Sequence, residues 1–234
     1  MKAFFYGVAL QWRLDIRSKT MLITCYLVPL LFFALMGGIF TSLMPQAGDT
    51  LIQSMTVMGV SMGALIGLPP SLNEVYSGES KRVYQVNGAP VCFGLAAMAL
   101  SSFCHLLLMC AVIYFAAPLA FGAALPENPA AYFGALVVFI AVSLAVSGVL
   151  GVAVKNQAKL TMGSQILFLP SILLSGVFFP VELLPDALEK LGAFFPAYWG
   201  YRLLADGGLC LANLWPLGLC LLLAIGLCGL FLKK

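Results

Sequence analysis

The 234-residue chain is 62% hydrophobic and only 9% charged, with a mean hydropathy of +1.03. A soluble domain carries about a quarter charged residues, so this chain cannot clothe itself in a polar skin, and lipid must be the solvent for most of its surface. A net charge of +3, with no block of Lys and Arg interleaved with aromatics, excludes a nucleic-acid partner.

The arm at residues 1–20 reads "AFFYGVALQWRLDIRSK" from position 3, with too many charges for a cleavable leader. Phe4, Phe5, Val8, Trp12 and Ile16 share about a third of a helical wheel, and Arg13 and Arg17 lie roughly opposite. That pattern predicts an amphipathic helix on the inner leaflet. Leu10, Leu14 and Asp15 break it, which leaves room for a charged leader held near the lipid.

Charge-free runs long enough to cross about 30 Å of hydrocarbon occur at about 21–40, 50–72, 93–118, 132–154, 160–180 and 213–232. Six spans predict an all-α integral membrane protein with both termini on one side and no separate soluble domain. Ten of the 12 basic residues then fall on that side: Lys2, Arg13, Arg17, Lys19, Lys81, Arg82, Lys155, Lys159, Lys233 and Lys234. Opposite them lie Asp49, Glu127, Glu182, Asp186, Glu189 and Asp206, with only Lys190 and Arg202. The basic side is expected to be cytoplasmic. Trp12, Tyr198, Trp199, Tyr201 and Trp215 fall near the expected interfaces.

Within span two, "GVSMGALIG" sets Gly59, Gly63 and Gly67 every fourth residue, a smooth ridge for close helix approach. The same helix carries Gln53, Ser54, Thr56 and Ser61, so it also suits the lining of a path. His105 in span three is the one ionisable group deep within a span, with Ser101 and Ser102 near enough to bond it. Intramembrane ionisable groups are functional candidates, but no HExxH or GxSxG accompanies this one. The seven cysteines lie mostly in apolar runs without a CxxC pair and read as small buried hydrophobes.

The inward loop at 73–90, "NEVYSGESKRVYQVNGAP", is longer than a linker needs to be, which suggests a docking surface with a short helix near 80–86. Beyond span five, "LLSGVFFPVELLPDALEKLGAFFPAYWGYRLL" (173–204) stops at prolines, turns acidic, then becomes aromatic again without reaching membrane length. Pro185 and Asp186 predict a short helix, with Pro196 as its end. The whole reads as an external re-entrant helical hairpin at 181–200, since irregular backbone at membrane depth needs protein or water around it.

This last stretch resembles the signature of type-2 ATP-binding-cassette permeases. Ser175, Gly176, Phe178, Phe179, Pro180, Leu184, Pro185 and Pro196 occupy the matching places. The resemblance implies a six-span permease half in a cell (inner) membrane, of bacterial type, paired with an identical or homologous half. It also implies two copies of a cytoplasmic ABC ATPase, which bind ATP and Mg. This chain has no GxxxxGK[ST] loop and is not itself expected to be an enzyme or to hold a cofactor.

By the same resemblance, the 73–90 loop is the coupling helix, with Glu74, Glu79, Lys81, Arg82 and Tyr84 as its candidate contacts. The family pattern fits at Glu74 and Gly78 and departs from it at 79–81. Spans two and five would carry the substrate path (Gln53, Thr56, Met62, Ser164, Phe168 and Ser171), with Pro170 kinking span five. Phe179, Pro180, Glu182 and Pro185 would form the re-entrant gate. The expected cargo is an amphipathic or hydrophobic drug, lipid or peptide moved outward by alternating access. The alternatives are an ATPase-independent transporter or lipid scramblase and, in third place, an intramembrane enzyme centred on His105.

Overall fold

Prolines shape the helices of the first half of the chain. The computed structural model describes residues 2–43, 45–77, 86, 90, 92–179, 181–207 and 210–233. Helix α1 (Lys2–Arg17) ends at Ser18, whose side chain accepts from the Met21 amide and starts α2 (Lys19–Leu22). A π-helical turn (Ile23–Leu27) leads into α3 (Val28–Leu43). A second π turn (Gly63–Gly67) joins α4 (Leu51–Met62) to α5 (Leu68–Ser77). Each π turn ends two residues before a helical proline, Pro29 or Pro69. A proline ring crowds the carbonyl four residues back and donates no hydrogen bond. Widening the turn before it keeps the chain helical through the defect.

The remaining helices are α6 (Cys92–Phe121), α7 (Pro129–Ala153), α8 (Gln157–Leu173), the short α9 (Asp186–Gly192) and α10 (Pro196–Ala205), and α11 (Leu211–Lys233). Asn128 caps α7 by accepting from the Ala131 amide, with Pro129 in the first turn, where its missing N–H costs nothing. Asn156 caps α8 through the Lys159 amide, so the turn between α7 and α8 is tight, as expected. No strand occurs among the described residues.

Five stretches are long and apolar enough to cross a bilayer: Lys19–Phe40, Gly48–Tyr76, Cys92–Phe121, Pro129–Ala153 and Leu211–Leu232. They fall on five of the six expected spans. The expected fifth span differs, because α8 has 17 residues, about 25 Å of helix, and stops at Leu173. Gly176 then takes φ +90°, a backbone conformation open to glycine and strained for other residues, and a Cβ there would sit 2.8 Å from Val181. Pro170 lies near the end of this helix rather than at its middle.

Successive long helices run antiparallel. At one end, here the far end, Phe121 covers Gly37, and Tyr132 meets both Tyr114 and Thr56. At the other, the near end, the Leu95 amide donates to the Tyr76 hydroxyl, and the Asn73 side chain donates to the Val154 carbonyl. The expected inward loop therefore begins later than position 73, since residues 73–77 complete α5 and Asn73 and Tyr76 are buried. The short helix expected near 80–86 falls, apart from its last residue, outside the described residues. Because α8 is shorter than its neighbours, it leaves room at the far end. There α10 packs against α4, α7, α8 and α11.

The stretch Gly48–Tyr76 is the axis of the bundle: 89% of its apolar window is buried, against 22% for Lys19–Phe40 and 17% for Leu211–Leu232. The glycine ridge is where the first and third long helices close on it. A Cβ on Gly59 would meet Met109 and Pro29, one on Gly63 would meet Leu106 and Cys25, and one on Gly67 would meet Thr24. The packing reading of the ridge is therefore the one realised, and the two π turns face each other across it. Gly63→Val should lower the thermal unfolding midpoint of the detergent-extracted protein, at a cost of about 1–3 kcal/mol from overpacking. Gly226→Val, where a Cβ meets open space, should leave the midpoint unchanged.

Candidate functional site in the polar interior of the bundle

Polar side chains in an apolar bundle must find partners or water, because an unpaired polar group in hydrocarbon is costly. Two buried polar regions result, one on each side of the central helix.

The first ties α1 to α6. Phe4, Gly7, Val8, Gln11, Trp12 and Asp15 recur at helical spacing and form the covered face of α1, with Phe4 and Gly7 against Phe93. Asp15 is only 7% exposed; its carboxylate accepts from Ser101 Oγ at 2.5 Å and from Gln11 Nε2 at 2.8 Å. The Trp12 ring stacks on His105 with centroids 3.8 Å apart and planes 4° from parallel, and His105 Nδ1 is hydrogen-bonded to the Tyr26 hydroxyl at 2.7 Å. These groups join the arm, the first long helix and the third.

The contacts correct three expectations. The apolar arc on α1 is divided: Phe4, Val8 and Trp12 turn inward, while Phe5 and Ile16 are exposed. Asp15 is the polar end of the inward face rather than a flaw in it. Ser101 bonds Asp15 instead of His105, which takes Tyr26. His105 Nε2 has no partner among the described residues, but stacking and the Tyr26 bond give this histidine a structural reason to be buried. The spacing of Phe4, Val8, Gln11 and Asp15, at intervals of four, three and four, was the available signal.

The second region lies between the central helix and α7, α8 and α10. Thr56 bonds the Tyr132 hydroxyl at 2.7 Å, both groups being buried. Gln53 and Ser164 are buried with Gln53 Oε1 and Ser164 Oγ unpartnered among the described residues. Ser171 lines a small cavity with Ser61, Ser143 and residues 195–197 at the start of α10. Its volume is about 20 Å³, room for about one or two waters. Met62 and Phe168 are half-buried. The expected path residues thus lie on α4 and α8, and of the polar residues singled out there Ser61 and Ser171 reach the cavity, joined by Ser143 on α7, which the sequence did not mark.

Between the two short helices, Glu189 of α9 pairs with Arg202 of α10 at 3.4 Å and accepts from the Tyr198 hydroxyl at 3.1 Å. Trp199 Nε1 donates to the Ala193 carbonyl at 2.7 Å, closing the turn between the two short helices. Pro196 opens α10 rather than ending α9, which stops at Gly192. A Cβ on Gly192 would strike the Leu174 carbonyl. Of the expected gate residues, Phe179 and Pro185 are exposed, Glu182 lies in the 3-10 turn Val181–Leu183, and Pro180 is outside the described residues. Of the expected coupling residues, Glu74 is exposed on α5, and Glu79, Lys81, Arg82 and Tyr84 fall outside the described residues.

Membrane-length apolar helices packed around a buried, polar and glycine-ridged axis define a multi-pass membrane protein. The family model of the ABC-2 type transporter matches residues 2–207, nearly the whole chain, and the chain belongs to that family. It is accordingly a membrane permease subunit of an ABC transporter, of a kind that works with an ABC ATPase. No curated protein matches it.

The contacts of α1 generate a prediction. Asp15→Ala should strand Ser101 Oγ and free the arm, at a cost of about 1–3 kcal/mol, read as faster amide hydrogen exchange over residues 4–17. Arg13→Ala, at an exposed position, should leave that exchange unchanged.

Proposed function

We propose that this permease is the membrane half of an ATP-driven exporter that moves an amphipathic or hydrophobic molecule, a drug, lipid or peptide, out of a bacterial cell. Two copies of a cytoplasmic ABC ATPase bind ATP and Mg and drive it, and a second permease half, identical or homologous, completes the membrane unit. The observation that carries this reading is the family match across residues 2–207, centred on a helix whose polar face is turned away from lipid.

In this reading α8 is a sixth crossing, short because α9 and α10 fold back into the outer leaflet above it as a re-entrant hairpin. The α1 arm lies at the inner interface, both termini are cytoplasmic, and the basic loop after α5 docks on the ATPase. Support comes from the charge asymmetry and from the attachment of α1 to α6 through Phe93, Ser101 and His105. Nucleotide-driven closure of the ATPases would move α5, α6 and α1 together, and the membrane halves would rock as rigid bodies. Glu74, Glu79, Lys81, Arg82 and Tyr84 are the contacts, and the polar faces of α4 and α8, with Gln53, Thr56, Met62, Ser164, Phe168 and Ser171, are the path.

Purification of the native assembly is expected to bring down an ABC ATPase. Reversing Lys81 and Arg82 to Glu should weaken that association about tenfold, ~1.4 kcal/mol, with the permease still folded. Impermeant labels should reach positions 81 and 182 from opposite sides of the bilayer. Uphill transport by the isolated permease, or labelling of both positions from one side, would refute this reading.

A further inference from the structure

The cavity beneath α10 has a chemical character that transport alone does not explain. Ser61, Ser143 and Ser171 come from three different helices, are 2%, 4% and 2% exposed, and all line this cavity. Their hydroxyls form no hydrogen bond among the described residues; Ser147 and Ser175, by contrast, donate to backbone carbonyls of their own turns. Ala197, also buried, lines the same space from the first turn of α10. No side chain caps that ten-residue helix, Pro196 has no N–H, and the Ala197 amide finds no backbone acceptor among the described residues.

The site is deep. Leu65 and Ser143, which share it, lie fourteen positions beyond Leu51 and Pro129, where α4 and α7 begin at the far end. At 1.5 Å per residue that is about 21 Å down the bundle. The other end of α10 stays at the far end, where Asp206 accepts from Asn213 at the start of α11. So α10 is a half-helix with its N-terminus aimed inward. Such an N-terminus carries partial positive charge and free N–H groups, and discontinuous helices in transporters present it to anionic groups near the midplane. None of the residues around this cavity is acidic, so its free polar groups can all serve as donors.

We propose that the Ser61–Ser143–Ser171 cavity, closed by the N-terminus of α10, is a binding site for one small monovalent anion, either a free halide or the carboxylate of a cargo molecule. Hydroxyls from α4, α7 and α8 and the Ala197 amide converge on the anion, which fixes the half-helix to the three helices beneath it. The site needs only this chain's own fold, so it stands whether or not the permease exports.

The test uses the full permease in its native assembly, with bromide as probe. Crystals grown in bromide should show an anomalous peak within hydrogen-bond distance of Ser61, Ser143 and Ser171. Bromide should raise the unfolding midpoint saturably, and Ser61→Ala with Ser171→Ala should weaken that dependence at least tenfold. Ser147→Ala, whose hydroxyl is satisfied by the Leu144 carbonyl, should leave it unchanged and controls for a general loss of packing. Formate that displaces bromide supports the carboxylate source, and formate that does not overturns that source. Water alone in the cavity, or an equal bromide response in the double alanine variant, overturns the site altogether. Neither result bears on ATPase docking, so it is distinguishable from failure of the exporter reading.

Discussion

The structure depends on keeping one helix out of lipid. The stretch Gly48–Tyr76 carries Gln53, Ser54, Thr56 and Ser61 on a backbone thinned by Gly59, Gly63 and Gly67. Polar groups at that depth are tolerable only when paired or wet, and lipid offers neither. The chain answers by enclosing this helix. The first and third long helices close on the glycine side, where van der Waals contact is best, and α7, α8 and α10 cover the polar side. Of the membrane-length stretches, Lys19–Phe40 and Leu211–Leu232 are the least buried, and α6 and α8 also turn apolar side chains outward.

That enclosure divides the molecule into a tight side and a polar side. Across the ridge, Cys25, Pro29, Leu106 and Met109 approach the glycines so closely that a methyl group could enter only if the Leu106 and Met109 side chains shifted. Across the other face, Ser61, Ser143 and Ser171 from α4, α7 and α8 line a small cavity, and Gln53 Oε1 and Ser164 Oγ are unpartnered among the described residues. A permease must change shape, and packed interfaces tend to switch between discrete arrangements rather than stretch. A close-packed seam thus lies opposite a loosely satisfied one across the central helix.

The near end has its own logic. Asp15 and His105 are the buried carboxylate and the buried imidazole of the described part of the bundle, and both lie between α1 and α6. Each is held by partners from other elements, Ser101 in one case and Trp12 and Tyr26 in the other. Truncating either would leave a buried polar group unsatisfied, so the arm cannot detach without cost. A segment that sequence alone suggests is resting on the lipid is also bound to the helix that follows the basic loop.

The sequence by itself determined the class, five of the six expected long apolar runs and the glycine ridge, because these follow from composition and from periods of about 20 and of four residues, which need no partner to be read. It ran the fifth apolar run on to about position 180, whereas α8 stops at Leu173, before the Gly176 turn. Only the tertiary structure decided that Asp15 faces inward, that Pro196 opens a helix, that Phe5 and Phe4 part company, and that Ser143 meets Ser61 and Ser171. Each of these depends on which neighbour a side chain meets across helices distant in sequence. Pairing energies and steric closure between such helices leave no periodic trace in the chain.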